Sequence, residues 1–355
     1  MPIPLIADRY LVQGSLGAPG AQGEVYQVLD THEGDVVAIK LLTALPAGGR
    51  WMEAQILRRL ADPHVLPIRN ADQLANGQPY LVTELARDGT LATSLAATAA
   101  CGVDVDEVVR WIRHACYGIS RGHTLRLLHN DVKPANLFLN AQGECLVGDF
   151  GFATVIPQGA ASVRPSGFTA ETAAPEVAIG WGTPAATASI QSDVYSLGAT
   201  AFWLLTARPP IELPAIPDTA ARMAAAATGT PPRLRDLAPH VPSYLSDVIE
   251  KAISRRPGDR YPTVTSLAAA LGGRPNAERY WKRTDEHAGH MACWRGEPKR
   301  TGSTYLLCVE PGPRPSQCTI TARHAASGSR ISRGCNVAYQ RDLGQAVRTA
   351  MRMLK

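Results

Sequence analysis

The chain has 355 residues, 45% hydrophobic and 19% charged, with a formal charge of +5 at neutral pH. That length allows two or three domains with a sizeable core, and that balance excludes a fibrous or broadly disordered chain. The charge is uneven: residues 275–355 hold 14 lysines and arginines against 6 acidic residues, a balance of +8 that leaves −3 for residues 1–274. No apolar run reaches the ~18–20 residues of a membrane-spanning helix. Residues 1–8 lack the basic-then-apolar pattern of a secretory signal, so a cytoplasmic protein is expected. The seven cysteines then need no oxidising compartment, and Cys101, Cys116 and Cys145 read as buried free thiols among apolar neighbours.

In chain order, residues 10–82 read as a small sheet with one helix. Glycine-punctuated turns and a β-branched run at 36–39 are followed by apolar residues at helical spacing over 50–60. Helical patterns dominate residues 91–271, broken by a loop-rich centre at 129–176 dense in Gly, Pro, Ser and Thr. The composition shifts at Gly272, Gly273, Arg274 and Pro275, where a boundary is expected. Beyond it, alternating runs at 291–294, 305–309 and 318–322 lead to a helix-like segment at 343–354, an α+β pattern. No internal repeat is visible.

Several short segments carry chemistry, and their order matters more than any one of them. Leu16-Gly17-Ala18-Pro19-Gly20-Ala21-Gln22-Gly23-Glu24-Val25 is a glycine-rich turn. Glycine serves any tight hairpin, because it reaches positive φ without steric cost, so this feature alone decides little. Val37-Ala38-Ile39-Lys40 follows on a strand, and Glu53 lies on the amphipathic segment after it. His129-Asn130-Asp131-Val132-Lys133-Pro134-Ala135-Asn136 and Gly148-Asp149-Phe150-Gly151 come next, then Ala174-Pro175-Glu176 and Ser192-Asp193-Val194-Tyr195-Ser196-Leu197-Gly198.

Over about residues 10–271 this series resembles the serine/threonine protein kinases, in the bacterial, eukaryotic-like form. The resemblance implies an α+β, bilobal kinase fold: an N-lobe of about 10–84 and a C-lobe of about 85–273, after an N-terminal extension of residues 1–9. It implies ATP as phosphoryl donor, magnesium as cofactor with manganese as a substitute, serine or threonine on a protein as acceptor, and autophosphorylation. By resemblance, Gly17, Gly20, Gly23, Val25, Ala38, Lys40 and Glu53 meet or support ATP. The backbone at Glu84 and Ala86, after the gatekeeper position Thr83, meets adenine. Asp131 is the base-like residue, Lys133 lies near the γ-phosphate, and Asn136 and Asp149 hold the metal. Arg260 is placed to pair with Glu176. Lys133-Pro134 is the serine/threonine form of the catalytic loop. A nucleotide-binding pseudokinase scaffold is the first alternative, opposed by the intact Lys40, Glu53, Asp131, Asn136 and Asp149; the second is a kinase sensor coupled to a nucleic-acid- or protein-binding tail.

The pattern departs in places. One extra residue separates Gly17 from Gly20, and Gly14 leaves the register of the first glycine open. Asn130 replaces the arginine that captures a loop phosphate in many kinases, so ordering of residues 149–176 by their own packing or by a partner is expected. Residues 274–355 carry no motif that names a family and are expected to form a small basic α+β domain that regulates or binds a partner. Arg279, Lys282, Arg283, Arg295, Lys299, Arg300, Arg323, Arg330 and Arg333 suit an acidic partner. Nucleic acid has charge alone in its favour, and a solvated face is the plainer reading. Cys293, Cys308, Cys318 and Cys335, with His287 and His290, invite a zinc reading. No two of these cysteines are two to four residues apart, so they are expected to serve as small core residues instead.

Overall fold

A computed structural model describes residues 5–16, 23–42, 59–98, 100–215, 218–273, 279–285, 287 and 289–354. Gly17, Gly20, Glu53 and residues 50–58 of the helix expected at 50–60 lie outside the described residues, and Arg59 and Leu60 are not helical.

Strands β1 (Leu5–Ile6), β2 (Tyr10–Ser15), β3 (Gly23–Asp30), β4 (Val36–Leu42), β5 (Ile68–Gln73) and β6 (Pro79–Glu84) form an antiparallel sheet in the order β1-β2-β3-β4-β6-β5. Residues 5 and 6, expected as part of an extension, are its edge strand. Alternation decides what each face does. Tyr10, Val28, Val37, Ile39, Tyr80 and Val82 pack into one buried cluster. Ala38 and Lys40 therefore sit on the other face, with Val25 and Leu81 opposite Lys40 and Thr83 opposite Ala38. Leu81 joins the core of the second lobe, so this face looks into the junction between the lobes.

The second lobe holds α1 (Leu91–Ala96), α2 (Val105–Thr124), α3 (Pro175–Ala178), α4 (Ile190–Thr206), α5 (Thr219–Thr228), α6 (Leu234–Leu237), α7 (Ser243–Ala252) and α8 (Val264–Leu271). Two short ribbons carry its loops: β7 (Leu127–Leu128) pairs with β10 (Thr154–Val155), and β8 (Leu137–Leu139) with β9 (Cys145–Val147). Helix α2 starts where the Asp104 carboxylate accepts from the Asp106 amide; acidic residues follow in its first turn, and Arg121 and His123 close its last. That charge order suits the helix dipole. Trp111, Ile112 and Ile119 of α2 pack with Leu197, Phe202 and Leu204 of α4, Leu245 and Ile249 of α7, and Leu267 and Leu271 of α8. Each such side chain, fully buried, contributes about 1.5–3 kcal/mol. Cys116 and Cys145 are buried there as free thiols, and burial pushes both far above the ordinary thiol value.

Residues 279–354 build a second sheet with its own core. The three expected runs lie in β12 (Ala292–Pro298), β13 (Tyr305–Pro311) and β14 (Gln317–His324), and the expected helix is α9 (Leu343–Met353). Two strands that the alternation did not reveal, β11 (Arg279–Thr284) and β15 (Asn336–Tyr339), complete the antiparallel order β11-β12-β13-β14-β15. Both are edge strands: β11 keeps the two-residue period in burial but sets Arg279 and Arg283 beside Trp281 on its more covered face, and β15 is mostly exposed, so apolar alternation marks neither. Val347, Ala350, Met351 and Leu354 pack against Trp294, Leu307, Val309, Ile320 and Ala322. The next stripe of α9 meets the second lobe. Arg348 donates to the Arg235 carbonyl and lies 3.5 Å from Asp236, and a Cβ on Gly344 would stand 2.8 Å from the Asp236 Cα.

Much of the basic set is spent inside this unit. Arg279 donates to the Leu354 and Ser303 carbonyls over the Tyr305 ring, Lys299 lies over Tyr280, and Arg323 and Arg330 bond within the sheet's loops.

Glu176 opens α3, and both its oxygens accept from Arg260 at 2.7 Å. Arg260 is 3% exposed and also donates to the carbonyls of Ser254, Gln191 and Arg255. Removing the carboxylate strands a buried guanidinium. Glu176→Ala is therefore expected to lower the unfolding free energy by about 3 kcal/mol or more, read from urea denaturation; a loss under about 1 kcal/mol, the level of an exposed pair, would contradict a buried role.

Candidate active site

The site is built where three loops meet under the first sheet. The 129–136 loop enters from β7, and its conformation needs an outside anchor because its amides lie in no ladder. Asp193, in the first turn of α4, supplies it. Its fully buried carboxylate accepts from the amides of His129 and Asn130, both at 3.0 Å, and contacts His123 Nε2 at 2.8 Å. Burial pushes this carboxyl up, but hydrogen bonding and charge from His123, with His129 and its amide, outweigh burial, so the group titrates below the ordinary carboxylate value. Thr200, two turns along α4, bonds to the Val132 carbonyl at 3.3 Å and holds the same loop.

Asp131 is thereby fixed with no solvent exposure. Its Oδ2 accepts from Asn136 Nδ2 at 2.9 Å and lies 3.0 Å from Lys133 Nζ. Asn136 also donates to the Asp131 carbonyl at 2.8 Å, so its amide nitrogen is committed and its oxygen is the group left to accept. Lys133 reaches further, donating to Thr169 Oγ1 at 2.7 Å. Across the junction, Lys40 Nζ lies 2.5 Å from Asp149 Oδ1. Asp149 holds φ at 56°, a left-handed conformation that Asp tolerates better than most residues, and Phe150 turns into the core against the His129 ring, 4.8 Å between centroids.

The structure thus brings Lys40, Asp131, Lys133, Asn136 and Asp149 to one cleft. Val25 and Ala38 share the sheet face of Lys40. Glu84 ends β6 with its amide bonded to the Pro67 carbonyl and its side chain bonded to Arg69, and Ala86 follows, half-buried, on the way to α1. Gly23 opens β3 at φ 127°, and a Cβ there would lie 1.8 Å from the Leu41 carbonyl oxygen. No other residue fits that position, whatever ligand the loop meets. Gly14 is a strand residue at a register shift in β2.

Asn130 has a task that its sequence position did not disclose. Its Nδ2 donates to the Phe152 carbonyl and to Thr154 Oγ1, both at 2.7 Å, tying the 129–136 loop to the start of the following segment. Arg126 clamps the same segment through the carbonyls of Ile156 and Ala160 at 3.0 and 2.9 Å, and that of Pro157. The only available signal was the substitution itself, a short amide in an arginine's place. Asn130→Ala is expected to cost about 2 kcal/mol of segment order, one for each lost bond. Asn130 also holds φ at 64°, where alanine is strained, so the expected readout is faster proteolysis within residues 150–170 beyond any fall in global stability. Asp193→Asn is expected to lower the thermal midpoint at pH 7. The folded value of Asp193 is depressed, so the carboxylate's contribution is intact above about pH 4 and is lost as pH falls through the lower folded value.

The protein kinase domain family model matches residues 10–270. The chain is 30% identical over 291 residues to a probable serine/threonine-protein kinase of Corynebacterium efficiens, covering 75% of this chain and 41% of that one. It is 31% identical over 279 residues to the serine/threonine-protein kinase PknL of Mycobacterium bovis, covering 75% of this chain and 66% of the relative. It therefore spans less than two thirds of the length of these relatives. The crystal structure of the PknI kinase domain of Mycobacterium tuberculosis, in a form with one cysteine replaced by alanine, superposes with a TM-score of 0.59 at 25% identity, covering 76% of this chain and 97% of that one.

Proposed function

The chain belongs to the protein kinase family, in its bacterial, eukaryotic-like branch, and from that premise we propose that it transfers the γ-phosphoryl group of ATP to serine or threonine hydroxyls of proteins, itself included. What carries the reading is Asp131, whose carboxylate is held by Asn136 and Lys133 on a loop anchored from below by Asp193. Phosphoryl transfer through a loose transition state asks for positioning and charge neutralisation more than for covalent chemistry. The residues divide that work by charge and reach.

Asp131 accepts the proton of the attacking hydroxyl and aims its oxygen at the γ-phosphorus. Lys133 binds the transferred group, and its bond to Thr169 puts a threonine hydroxyl within reach of the same ammonium. Lys40 binds the α- and β-phosphates, exchanging Asp149 for them in part. Val25 and Ala38 cover the base, and the backbone at Glu84 and Ala86 meets its edge; the family resemblance assigns Gly17, Gly20 and Gly23 to the phosphates and Glu53 to Lys40, and of these four Gly23 alone lies among the described residues.

The donor set suits a hard divalent cation. The Asp149 carboxylate and the Asn136 amide oxygen are hard oxygen ligands, and magnesium takes one or two such groups plus substrate phosphates. When bound, the ion, magnesium or manganese in its place, neutralises charge on the β- and γ-phosphates. Asp149 and Asn136 hold it. The reading carries a cytoplasmic setting, which suits seven free thiols. No helix among the described residues is long and apolar enough to cross a membrane. The five-stranded sheet and α9 are then a basic appendage, from about residue 274, that regulates the kinase or recruits a protein partner.

Incubation with γ-labelled ATP and magnesium, with a generic basic protein as acceptor, tests this. Label on serine or threonine is expected, falling by at least about 100-fold in Asp131→Asn, the scale of a lost general base, and equally in Asp149→Ala. Tight nucleotide binding without transfer by the wild type would instead support the scaffold reading.

A further inference from the structure

Outside the cleft, one cluster of chemistry-bearing side chains has no part in phosphoryl transfer. Cys293 and Cys308 are directly opposed across β12 and β13, and both are buried. The connection from β11 to β12 passes over the same spot and contributes His287 and His290. Cys293 Sγ lies 3.5 Å from His287 Nδ1 and 3.4 Å from His290 Nδ1, and Cys308 Sγ lies 3.3 Å from His287 Nδ1. All four ligand atoms fall within 4.8 Å of one another.

We propose that His287, His290, Cys293 and Cys308 form a structural zinc site that fastens the β11–β12 connection to the sheet. The edge lengths are those a cation asks for. Zinc at about 2.05 Å from nitrogen and 2.3 Å from sulfur, in a tetrahedron, separates the two ligand types by about 3.6 Å. Hydrogen bonding explains the cluster less well, because His287 Nδ1 faces both sulfurs while a single imidazole nitrogen offers one lone pair or one proton. Two thiolates cancel the charge of a divalent ion, which lets the group sit in a largely buried place. The mix of thiolate and imidazole in four-fold convergence selects zinc over the hard cations of the cleft. Four protein ligands leave no open position, so the site is structural.

The surroundings agree. Nδ1 of His290 faces the sulfur, and Nε2 of the same ring lies 3.7 Å from Glu310 Oε1, the carboxylate beside a ligating imidazole that orients such rings. Glu310 is itself held by Thr321 Oγ1 at 3.1 Å. The other two cysteines of this unit stand apart: Cys318 contacts Met291 and Cys335 bonds backbone groups. The sequence reading took all four as small core residues; Cys293, Cys308 and Cys318 are buried as expected, and the proposal adds a ligand role for the first two.

The test measures metal in the full chain, purified without chelators. Roughly one zinc per chain is expected in the wild type and in Cys318→Ser, and under about a tenth of that in Cys293→Ser/Cys308→Ser. A mercurial thiol reagent should release that zinc as it consumes the two thiols, a readout that needs no variant to fold. Cobalt-loaded wild type should show sulfur-to-cobalt charge transfer with tetrahedral d–d bands. The proposal is overturned by zinc-free wild-type protein grown with zinc supplied, by zinc that persists in the double variant, or by a Cys293–Cys308 disulfide in the freshly purified chain.

Discussion

A carboxylate sealed from water is tolerable only if donors surround it, and at Asp193 those donors are the amides of the catalytic loop. The two needs meet in one contact. The loop has backbone N–H groups that no strand or helix uses, and the helix end has a charge that solvent does not reach. Asp131 inherits its position from this exchange, because a loop held at His129 and Asn130 has little freedom left at the next residue, and Asn136 and Lys133 are in turn held against the Asp131 carboxylate. His123 sits on the far side of the same carboxylate, so the end of α2 is also tied to the site.

The segment after Asp149 is held by a different logic from a charge switch. Where an arginine would wait for a phosphate, Asn130 is already bonded to the segment's backbone and to Thr154. Arg126 adds three carbonyls further along. Ser196 reaches the Thr172 carbonyl at 2.9 Å, and Glu176 is locked by Arg260. The segment is thus pinned near its start by an amide and a guanidinium and at its end by one buried ion pair, contacts made without an added phosphate.

What was legible in the sequence is what short-range spacing encodes. Asp131 and Asn136 lie five residues apart and Val37 to Lys40 run along one strand, so each falls inside a short motif, and the resemblance of those motifs to the kinase family grouped them. Lys40 and Asp149 are far apart in sequence, and only resemblance joined them before their 2.5 Å contact was measured. The misses share one cause. Edge strand β11 sets arginines beside Trp281 on its more covered face and β15 is mostly exposed, so apolar alternation marked neither. The Asn130 bonds depend on the path of a loop, and the opposition of Cys293 to Cys308 depends on strand register fixed by a hairpin, which counting residues between cysteines does not detect. His287, His290 and Cys293 stand at three-residue steps in the sequence, a spacing that a criterion of paired cysteines passes over.

Helix α9 is shared property. Val347, Ala350, Met351 and Leu354 belong to the second sheet, while Gly344 and Arg348, one turn apart, belong to the kinase lobe through Asp236 and Arg235. Sequence drift along this helix is therefore constrained twice. Any lineage that lost the appended sheet would be released from the first stripe and left with the footprint of the second, an uncovered patch on α6 shaped for a glycine.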